Sequence, residues 1–182
     1  MSPHQTTQTH KQDLINQIRF DVENGKIWFC EQRMLLSQAY ALWRLREDLV
    51  ESLGKERAKR FFMRYGYYAG VQDAETAQKV RPYSDPKDAF LVGPQLHTTR
   101  GMVKVTPITL DIDIKHGKFY GVFTWEDSFE VAYHKKKNGI SQEPVCWALL
   151  GYASGYSSYF MGKQIAFTET QCEAMGHTQC HI

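Results

Sequence analysis

Three of the four cysteines lie in the last 37 residues of the chain, where their spacing could serve a metal ion. Cys172 and Cys180 frame the sequence EAMGHTQ, in which Gly176 allows the backbone to reverse and bring both thiols together. Glu169 precedes Cys172 by three residues and can approach the same point, and Cys146 could supply a fourth ligand if its helix packs nearby. Thiolates are good zinc ligands, and four protein ligands are typical of a structural zinc site.

Spacing alone leaves other roles for these side chains open. Free buried thiols are common in protein cores, and His177 or His181 could replace Glu169 as a ligand. Three thiolates and a carboxylate around zinc would carry a net charge of minus two, which backbone N–H groups would have to offset. A catalytic cysteine with His97 or His177 as its base lacks a third group to orient it. Cys30 is remote in sequence and is predicted to lie in the core.

Aromatic side chains make up 13% of the sequence and concentrate between Phe90 and Phe167. Tyr152, Tyr156 and Tyr159 are spaced by four and three residues, so they share one face of a predicted helix. Such a stripe is most often ordinary core. Four aromatic residues from other segments could instead surround this face and form an apolar chamber for a planar hydrocarbon, namely Phe90, Phe123, Trp125 and Phe167.

His97 and Trp125 are the polar exceptions in this aromatic setting. A lone histidine is more often a structural residue than a ligand contact. A phenolic hydroxyl, however, needs a donor and an acceptor; imidazole can be either, whereas the indole N–H can only donate. Each such hydrogen bond contributes only about 0.5–1.5 kcal/mol, but a buried unpaired group costs about 1–3 kcal/mol. This asymmetry predicts that the chamber prefers phenols to benzene or toluene.

The composition favours one domain of ordinary charge. With 182 residues and 42% hydrophobic side chains, the chain can build a single sizeable core. Its basic residues exceed its acidic ones by two and are scattered, so charge indicates neither nucleic acid nor an anionic membrane as a partner. The N-terminal sequence MSPHQTTQTH lacks the apolar part of a secretion signal, and no apolar stretch is long enough for a membrane helix, which predicts a cytoplasmic location.

Common catalytic motifs are missing from the sequence. It contains no GxGxxG, HExxH, CxxC or GxSxG pattern, and Gly162-Lys163 lacks the spacing of a phosphate-binding loop. We therefore expect a binding domain rather than a nucleotide-dependent enzyme or a zinc hydrolase.

The elements that would hold these residues begin with an arm and a hairpin. Residues 1–13 are predicted to be a mobile arm, and the sequence IRFDVENGKIWF predicts a hairpin that turns at Asn24-Gly25. From Glu31 the pattern is helical and ends at Gly54, with a predicted inward stripe of Leu35, Ala39, Leu42, Leu45 and Leu49.

A second helix is predicted from Glu56 to about Lys79. Glycine in a helix costs roughly 1 kcal/mol against alanine, so Gly66 and Gly70 indicate close packing against another backbone. The residues predicted to point inward are Ala58, Phe61, Phe62, Tyr65 and Ala69.

The remaining pattern predicts a sheet between helices. RPYSDPKD predicts a loop, and FLVGPQLHTTRG predicts a small helix or a loop segment. From Met102 to about Lys135, alternation predicts an antiparallel meander. A third helix should open at Pro144 and run through VCWALLGYASGYSSYFMG, and QIAFTET should form a final strand. This order of elements favours an α+β fold.

Long blocks of the sequence also resemble a known family. From about Leu14 to the end, the chain resembles the N-terminal sensory domain of phenol-responsive, sigma-54-dependent bacterial transcription activators, in the stretches GKIWFCEQRMLL, ERAKRFFMRYGYYAG, FLVGPQLHTTRGMVKV, DSFEV and EPVCWALLGYASGY. The resemblance implies a sensor domain over residues 14–182 with a vinyl-4-reductase-like part at about 100–182, a buried phenol pocket and a structural zinc ion.

The resemblance also implies roles for individual residues. His97 and Trp125 match the residues that bind the phenol hydroxyl. The zinc ligands match Cys146, Glu169, Cys172 and Cys180, and the pocket wall matches Phe90, Phe123, Tyr156 and Phe167. Phe167 stands where some relatives carry tyrosine, and Met175 stands where some carry another cysteine, which bears on pocket polarity and ligand range.

Regulators of this family continue into an ATPase and a helix-turn-helix domain, so we expect this chain to be an isolated, non-enzymatic sensor. The resemblance implies a homodimer that represses its ATPase until phenol or a simple substituted phenol binds, without contacting DNA or a membrane itself. Three alternatives are a sensor for benzene or alkylbenzenes, an enzyme acting on small aromatics, and a purely structural dimerisation domain.

Overall fold

A computed structural model describes residues 14–80 and 85–182 of the chain. The predicted mobile arm, residues 1–13, lies outside this described part. The chain divides into two compact units, residues 1–39 and residues 40–182. Among the described residues, none of the helices combines the length and the hydropathy that a bilayer span requires.

The first unit contains a three-stranded antiparallel sheet whose strands are β1 (Ile18–Asp21), β2 (Lys26–Phe29) and β3 (Gln32–Met34). The hairpin predicted at Asn24-Gly25 is confirmed, with Gly25 in the left-handed region at φ 61°. The helix predicted from Glu31 is wrong over this stretch, because β3 pairs with β2. Cys30, at φ 53°, lies in the tight turn between these two strands.

Helix α1 (Ala39–Leu53) ends where the sequence predicts, since Gly54 has φ 78° and continues into a new helix. The predicted leucine stripe is wrong: Leu35 lies before the helix, and Leu45 is 51% exposed. The buried residues of α1 are instead Trp43 and Arg46. Arg46 points inward because it pairs with the buried Glu130, a distant partner that helical periodicity does not indicate.

Helix α2 (Lys55–Val80) packs along helix α6 (Trp147–Met161) through glycines on both helices. A Cβ atom at Gly66 would collide with the Ala148 carbonyl, and the same holds against the opposite backbone for Gly70, Gly151 and Gly155. The close contact predicted at Gly66 and Gly70 is therefore confirmed. Two residues predicted inward are wrong, since the glycines turn that face of α2 toward α6 and leave Phe61 and Tyr65 exposed.

Two short helices follow, α3 (Pro86–Phe90) and α4 (Val92–Thr99), so the segment predicted as a small helix or loop is largely helical. The predicted RPYSDPKD loop lies partly outside the described residues, and its second half begins α3. There the Asp85 side chain caps the helix by accepting a hydrogen bond from the Lys87 N–H at 2.8 Å.

The second unit contains an antiparallel sheet in the order β4 (Lys104–Asp113), β5 (Lys118–Glu126) and β6 (Cys180–His181). The predicted meander is confirmed up to Glu126. Beyond it the strand prediction is wrong, because the Ser128 side chain caps helix α5 (Phe129–Asn138) by accepting from the Val131 N–H.

Helix α6 begins with Cys146 as its N-cap, two residues after the predicted opening at Pro144. The strand predicted at QIAFTET is wrong, since residues 164–170 form no strand and β6 takes the place beside β5 instead. Helices and antiparallel sheets together confirm the predicted α+β class.

Candidate ligand cavity and metal centre

The six residues predicted to contact an aromatic ligand line one buried cavity in the second unit. They come from α3, α4, β5, α6 and the segment after α6, and are Phe90, His97, Phe123, Trp125, Tyr156 and Phe167. The remaining lining residues are Gly93, Pro94, Val105, Tyr152, Ala153, Ser157 and Ile182. Because nearly all of these side chains are apolar or aromatic, the cavity suits a small ligand with a mostly apolar surface.

The aromatic rings of the cavity wall meet at an angle to one another. The ring centroids of Phe90 and Tyr156 lie 5.4 Å apart at 73°, and those of Phe123 and Phe167 lie 5.9 Å apart at 59°. Tilted and edge-to-face pairs are the favoured arrangements of aromatic rings at such distances. The wall is therefore held by ring contacts that leave flat faces available to a planar ligand.

His97 is 2% exposed, and its Nε2 atom has no hydrogen-bond partner among the described residues. Burial, assisted by the charge of Arg100, lowers the pKa of His97 to about 3, so the imidazole is neutral at pH 7. Its ring centroid lies 6.1 Å from that of Trp125, at 78°. The cavity thus brings together an imidazole able to accept a hydrogen bond and an indole able to donate one.

The two tyrosines of the cavity bind their hydroxyl groups outside it. The Tyr152 hydroxyl donates to Asp73 Oδ2 at 2.8 Å, and the Tyr156 hydroxyl donates to the Ala89 carbonyl at 3.2 Å. Both residues therefore contribute aromatic rings to the lining, while their polar ends are satisfied by other elements.

The four predicted metal ligands form one buried cluster. Their ligand atoms all lie within 4.8 Å of one another, in the set Cys146, Glu169, Cys172 and Cys180. The Sγ atom of Cys180 lies 3.9 Å from those of both Cys146 and Cys172, which is far longer than a disulfide bond. Two sulfur ligands on a tetrahedral zinc ion are separated by roughly 3.8 Å, given Zn–S bonds of about 2.3 Å. The donor set and its spacing therefore fit a tetrahedral metal ion.

Local chain geometry brings these ligands together. Cys172 and Cys180 flank a 3-10 turn, Glu173–Met175, which ends at Gly176 with φ 96°. Cys146 stands at the N-terminus of α6, where the helix dipole favours an anion. His177 is exposed and His181 lies outside the cluster, so the sequence alternative in which a histidine replaces Glu169 does not match this geometry.

Hydrogen-bond donors surround the cluster. The Cys146 N–H donates to Glu169 Oε2 at 3.3 Å, and the Glu173 N–H donates to Cys180 Sγ at 3.4 Å. The Ser128 hydroxyl lies 3.4 Å from Cys146 Sγ, and a backbone group of Val145 contacts Cys172. These donors can offset the excess negative charge that three thiolates and a carboxylate would leave on a divalent ion.

Burial opposes ionisation of the acidic groups in the cluster. It raises the pKa of the Cys146 thiol far above its usual range and raises the pKa of Glu169 to about 8. Glu169 Oε1 is buried and has no hydrogen-bond partner among the described residues. A bound cation would favour the ionised ligands and occupy this open acceptor.

Comparison with known proteins agrees with this geometry. The family model described as activator of aromatic catabolism matches residues 13–113, more than half of the chain. The chain belongs to this family. A second model, that of the vinyl-4-reductase-like domain expected from the sequence, matches residues 122–182, which include all four candidate metal ligands.

Two relatives of the family are long regulatory proteins. The chain is 50% identical over 171 residues to the transcriptional regulatory protein XylR of Pseudomonas putida and 48% identical over 171 residues to the phenol regulator MopR of Acinetobacter guillouiae. Each alignment covers 94% of this chain and 30% of the relative. The chain thus spans less than a third of the length of these regulators.

A solved structure shares both the fold and the sequence. It is the crystal structure of the phenol-responsive sensory domain of the transcription activator PoxR with phenol, at a TM-score of 0.93 and 44% identity. The match covers 100% of this chain and 89% of that domain. The resemblance to a sensory domain of this family, expected from the sequence, is confirmed.

One buried network of this family member has no signal in its sequence. Arg46 Nη1 donates to Glu130 Oε1 at 3.0 Å, and Glu130 accepts the N–H groups of Ala148 and Leu149 at the start of α6. The Arg46 guanidinium also lies 3.6 Å from the ring centroid of Trp147. Glu130 thereby satisfies the free N–H groups of the helix that carries Cys146.

Proposed function

We propose that this chain is a sensory domain that binds phenol or simple substituted phenols. The supporting observation is the cavity itself, an aromatic enclosure in which the Nε2 atom of His97, unpaired among the described residues, lies beside Trp125. The names of the relatives MopR and PoxR, which refer to phenol, agree with this ligand class.

In this proposal the ligand hydroxyl donates to His97 Nε2 and accepts from the Trp125 indole N–H. The neutral state of His97 is essential, because a protonated imidazole has no acceptor. The ligand ring would contact the wall formed by Phe90, Phe123, Tyr156 and Phe167. A hydrocarbon of the same shape would leave the buried histidine nitrogen unpaired, which costs about 1–3 kcal/mol.

Zinc is the proposed metal of the cluster. Thiolate-rich, four-coordinate sites with no open position are typical of structural zinc, and the four residues here provide such a set. When bound, the ion would neutralise the buried anions and join α6 to the C-terminal segment. Elemental analysis should find about one zinc per chain, a Cys172→Ser variant should lose it, and Cys30→Ser, outside the cluster, should retain it.

The proposed sensor spans residues 14–182 and acts within a longer regulator, in the cytoplasm and as a homodimer. Ligand binding would favour one arrangement of the sensor and so relieve repression of a downstream ATPase. A ligand shifts such an equilibrium only as far as its affinities for the two arrangements differ. The sensor itself is proposed to be a binding domain and not an enzyme, without contacts to nucleic acid.

Calorimetric titration with phenol and toluene tests the ligand class. The double variant His97→Ala, Trp125→Phe should lose most of the affinity for phenol and little of that for toluene. A matched control is the double variant His116→Ala, Trp28→Phe, since neither residue belongs to the described cavity lining. Undiminished phenol binding by the cavity variant would refute the roles of His97 and Trp125.

A sensor for benzene or alkylbenzenes is the second candidate, because the cavity lining is mostly apolar. Toluene would then bind the wild-type protein at least as tightly as phenol. Product formation from phenol on prolonged incubation would instead indicate an enzyme.

A further inference from the structure

Asp73 is a fully buried carboxylate of helix α2 that holds two side chains next to His97. Its Oδ2 atom accepts a hydrogen bond from the Tyr152 hydroxyl at 2.8 Å, and its Oδ1 atom accepts one from Arg100 Nη2 at 2.5 Å. The ion pair with Arg100 reaches toward the surface, where the Arg100 side chain is 21% exposed.

Both partners of Asp73 are connected to His97. The Tyr152 ring stacks on the imidazole, with 3.7 Å between the ring centroids and 26° between the planes. Arg100 follows His97 by three residues and forms the C-cap of α4, the helix that carries His97. A single carboxylate therefore fixes both the ring that covers the imidazole and the end of the helix that carries it.

Stability alone is a weak explanation for this buried charge. A buried ion pair is often no more stabilising than apolar side chains of the same volume, because desolvation offsets the attraction. In some proteins such pairs are retained because they select one conformation. Here the conformation that Asp73 selects is that of the side chains around His97, the only histidine among the described residues that line the cavity.

Asp73 also decides which part of Tyr152 faces the cavity. The tyrosine ring lines the cavity while its hydroxyl is bound to Asp73. The ligand therefore meets a fixed aromatic ring at this position, and the Nε2 atom of His97, which no described residue engages, stays available as an acceptor.

We infer that Asp73 is a positioning residue for recognition of the ligand hydroxyl. Through Tyr152 and Arg100 it fixes His97, and it thereby sets the preference for hydroxylated aromatics over hydrocarbons of the same shape. This inference rests on the proposed function and adds a specificity determinant outside the cavity.

Calorimetry with phenol and toluene on Tyr152→Phe tests the inference. This variant keeps the ring and the Asp73–Arg100 pair, and removes only the hydroxyl that Asp73 holds. Phenol affinity should fall roughly two- to tenfold, the effect of one net hydrogen bond, while toluene affinity stays within about twofold. Tyr159→Phe on the same helix is the matched control and should not change the ratio, since that hydroxyl contacts Gln78 at the exposed surface.

Asp73→Asn, made in the wild-type and Tyr152→Phe backgrounds, completes a double-mutant cycle. Because Asp73 acts largely through Tyr152, the substitution should change the phenol-to-toluene ratio less when the tyrosine hydroxyl is already absent. An equal change in both backgrounds would contradict that route.

The inference is overturned if Tyr152→Phe leaves the phenol-to-toluene ratio unchanged or weakens both ligands equally, which a packing role would produce. Failure of the proposed function would look different, because the wild-type protein itself would then fail to bind phenol.

Discussion

Trp125 of the cavity and Cys180 of the metal centre face each other as a cross-strand pair between β5 and β6. Two residues along each strand, Phe123 and Ile182 exchange both backbone hydrogen bonds, at 3.1 and 3.0 Å, and both line the cavity. The metal centre therefore anchors the strand that closes one side of the cavity.

Removal of the bound metal should consequently weaken both stability and ligand binding. Without a cation, the crowded acidic groups lose the interaction that holds β6 beside Trp125. We expect Tm to fall by roughly 10–20 °C, which corresponds to a loss of several kcal/mol for a chain of this size. Phenol affinity should fall about tenfold or more, because part of the binding energy must then order this strand.

Scanning calorimetry and phenol titration before and after chelation measure both effects, and added zinc should restore them. An unchanged Tm and an unchanged phenol affinity in protein that elemental analysis shows to be metal-free would contradict this coupling.

Burial of neutral His97 should make the fold less stable in mild acid. Its pKa is about 3 in the fold and about 6.5 in an unfolded chain, so between these values only the unfolded chain binds a proton there. The free energy of unfolding should therefore fall as the pH drops below about 6.5, by up to about 1.4 kcal/mol per pH unit. Urea unfolding of wild-type protein and His97→Gln at several pH values measures this difference.

Two further results would follow from the same histidine. His97→Gln should lose the acid-dependent part of the stability curve, and wild-type phenol affinity per folded molecule should stay constant between about pH 5 and pH 8. Parallel stability curves for the two proteins would show that His97 already titrates in the fold.

The buried Arg46–Glu130 pair should be costly to break from one side. Both side chains are almost fully buried, at 3% and 1% exposure, so Glu130→Gln leaves the Arg46 charge without its partner. We expect a loss of about 3–5 kcal/mol in the free energy of unfolding, measured in urea. On the same helix, Arg44 forms an exposed pair with Asp48, and Arg44→Ala should cost less than about 1 kcal/mol.

Replacing both partners should cost less than the sum of the two single changes, because neither charge is then left alone. Additive losses in the Arg46→Met, Glu130→Gln double variant would show that the two residues stabilise the fold independently.

Local features of this fold could be predicted because their causes lie within a few residues. Asn24-Gly25 turns the hairpin and Gly54 ends α1 in the left-handed conformation, as their types predict. The errors have distant causes. Arg46 turns inward toward Glu130, 84 residues away, and the alternating sequence after Trp125 becomes a helix because Ser128 caps it.

The candidate site divides in the same way. The cavity wall and the cysteine cluster could be predicted from residue types and from the resemblance to a family. Asp73 could not, because its two partners lie 27 and 79 residues away and a lone aspartate within a helix normally indicates a solvated face. Only the packing of α2 against α6 brings the three side chains together.

That packing gives the last prediction, in which two opposing effects differ in size. Glycine to alanine within a helix normally gains about 1 kcal/mol, but at Gly151 the new Cβ atom would overlap the Met63 carbonyl. Overpacking costs about 1–3 kcal/mol, and a backbone carbonyl cannot turn aside, so we expect Gly151→Ala to be destabilised in urea. Phenol affinity should fall as well, because α6 also carries Tyr152 and Tyr156. Gly139→Ala, in open space at φ 74°, should lose stability through backbone strain yet keep its phenol affinity, whereas a Gly151→Ala protein more stable than wild type would refute the close contact.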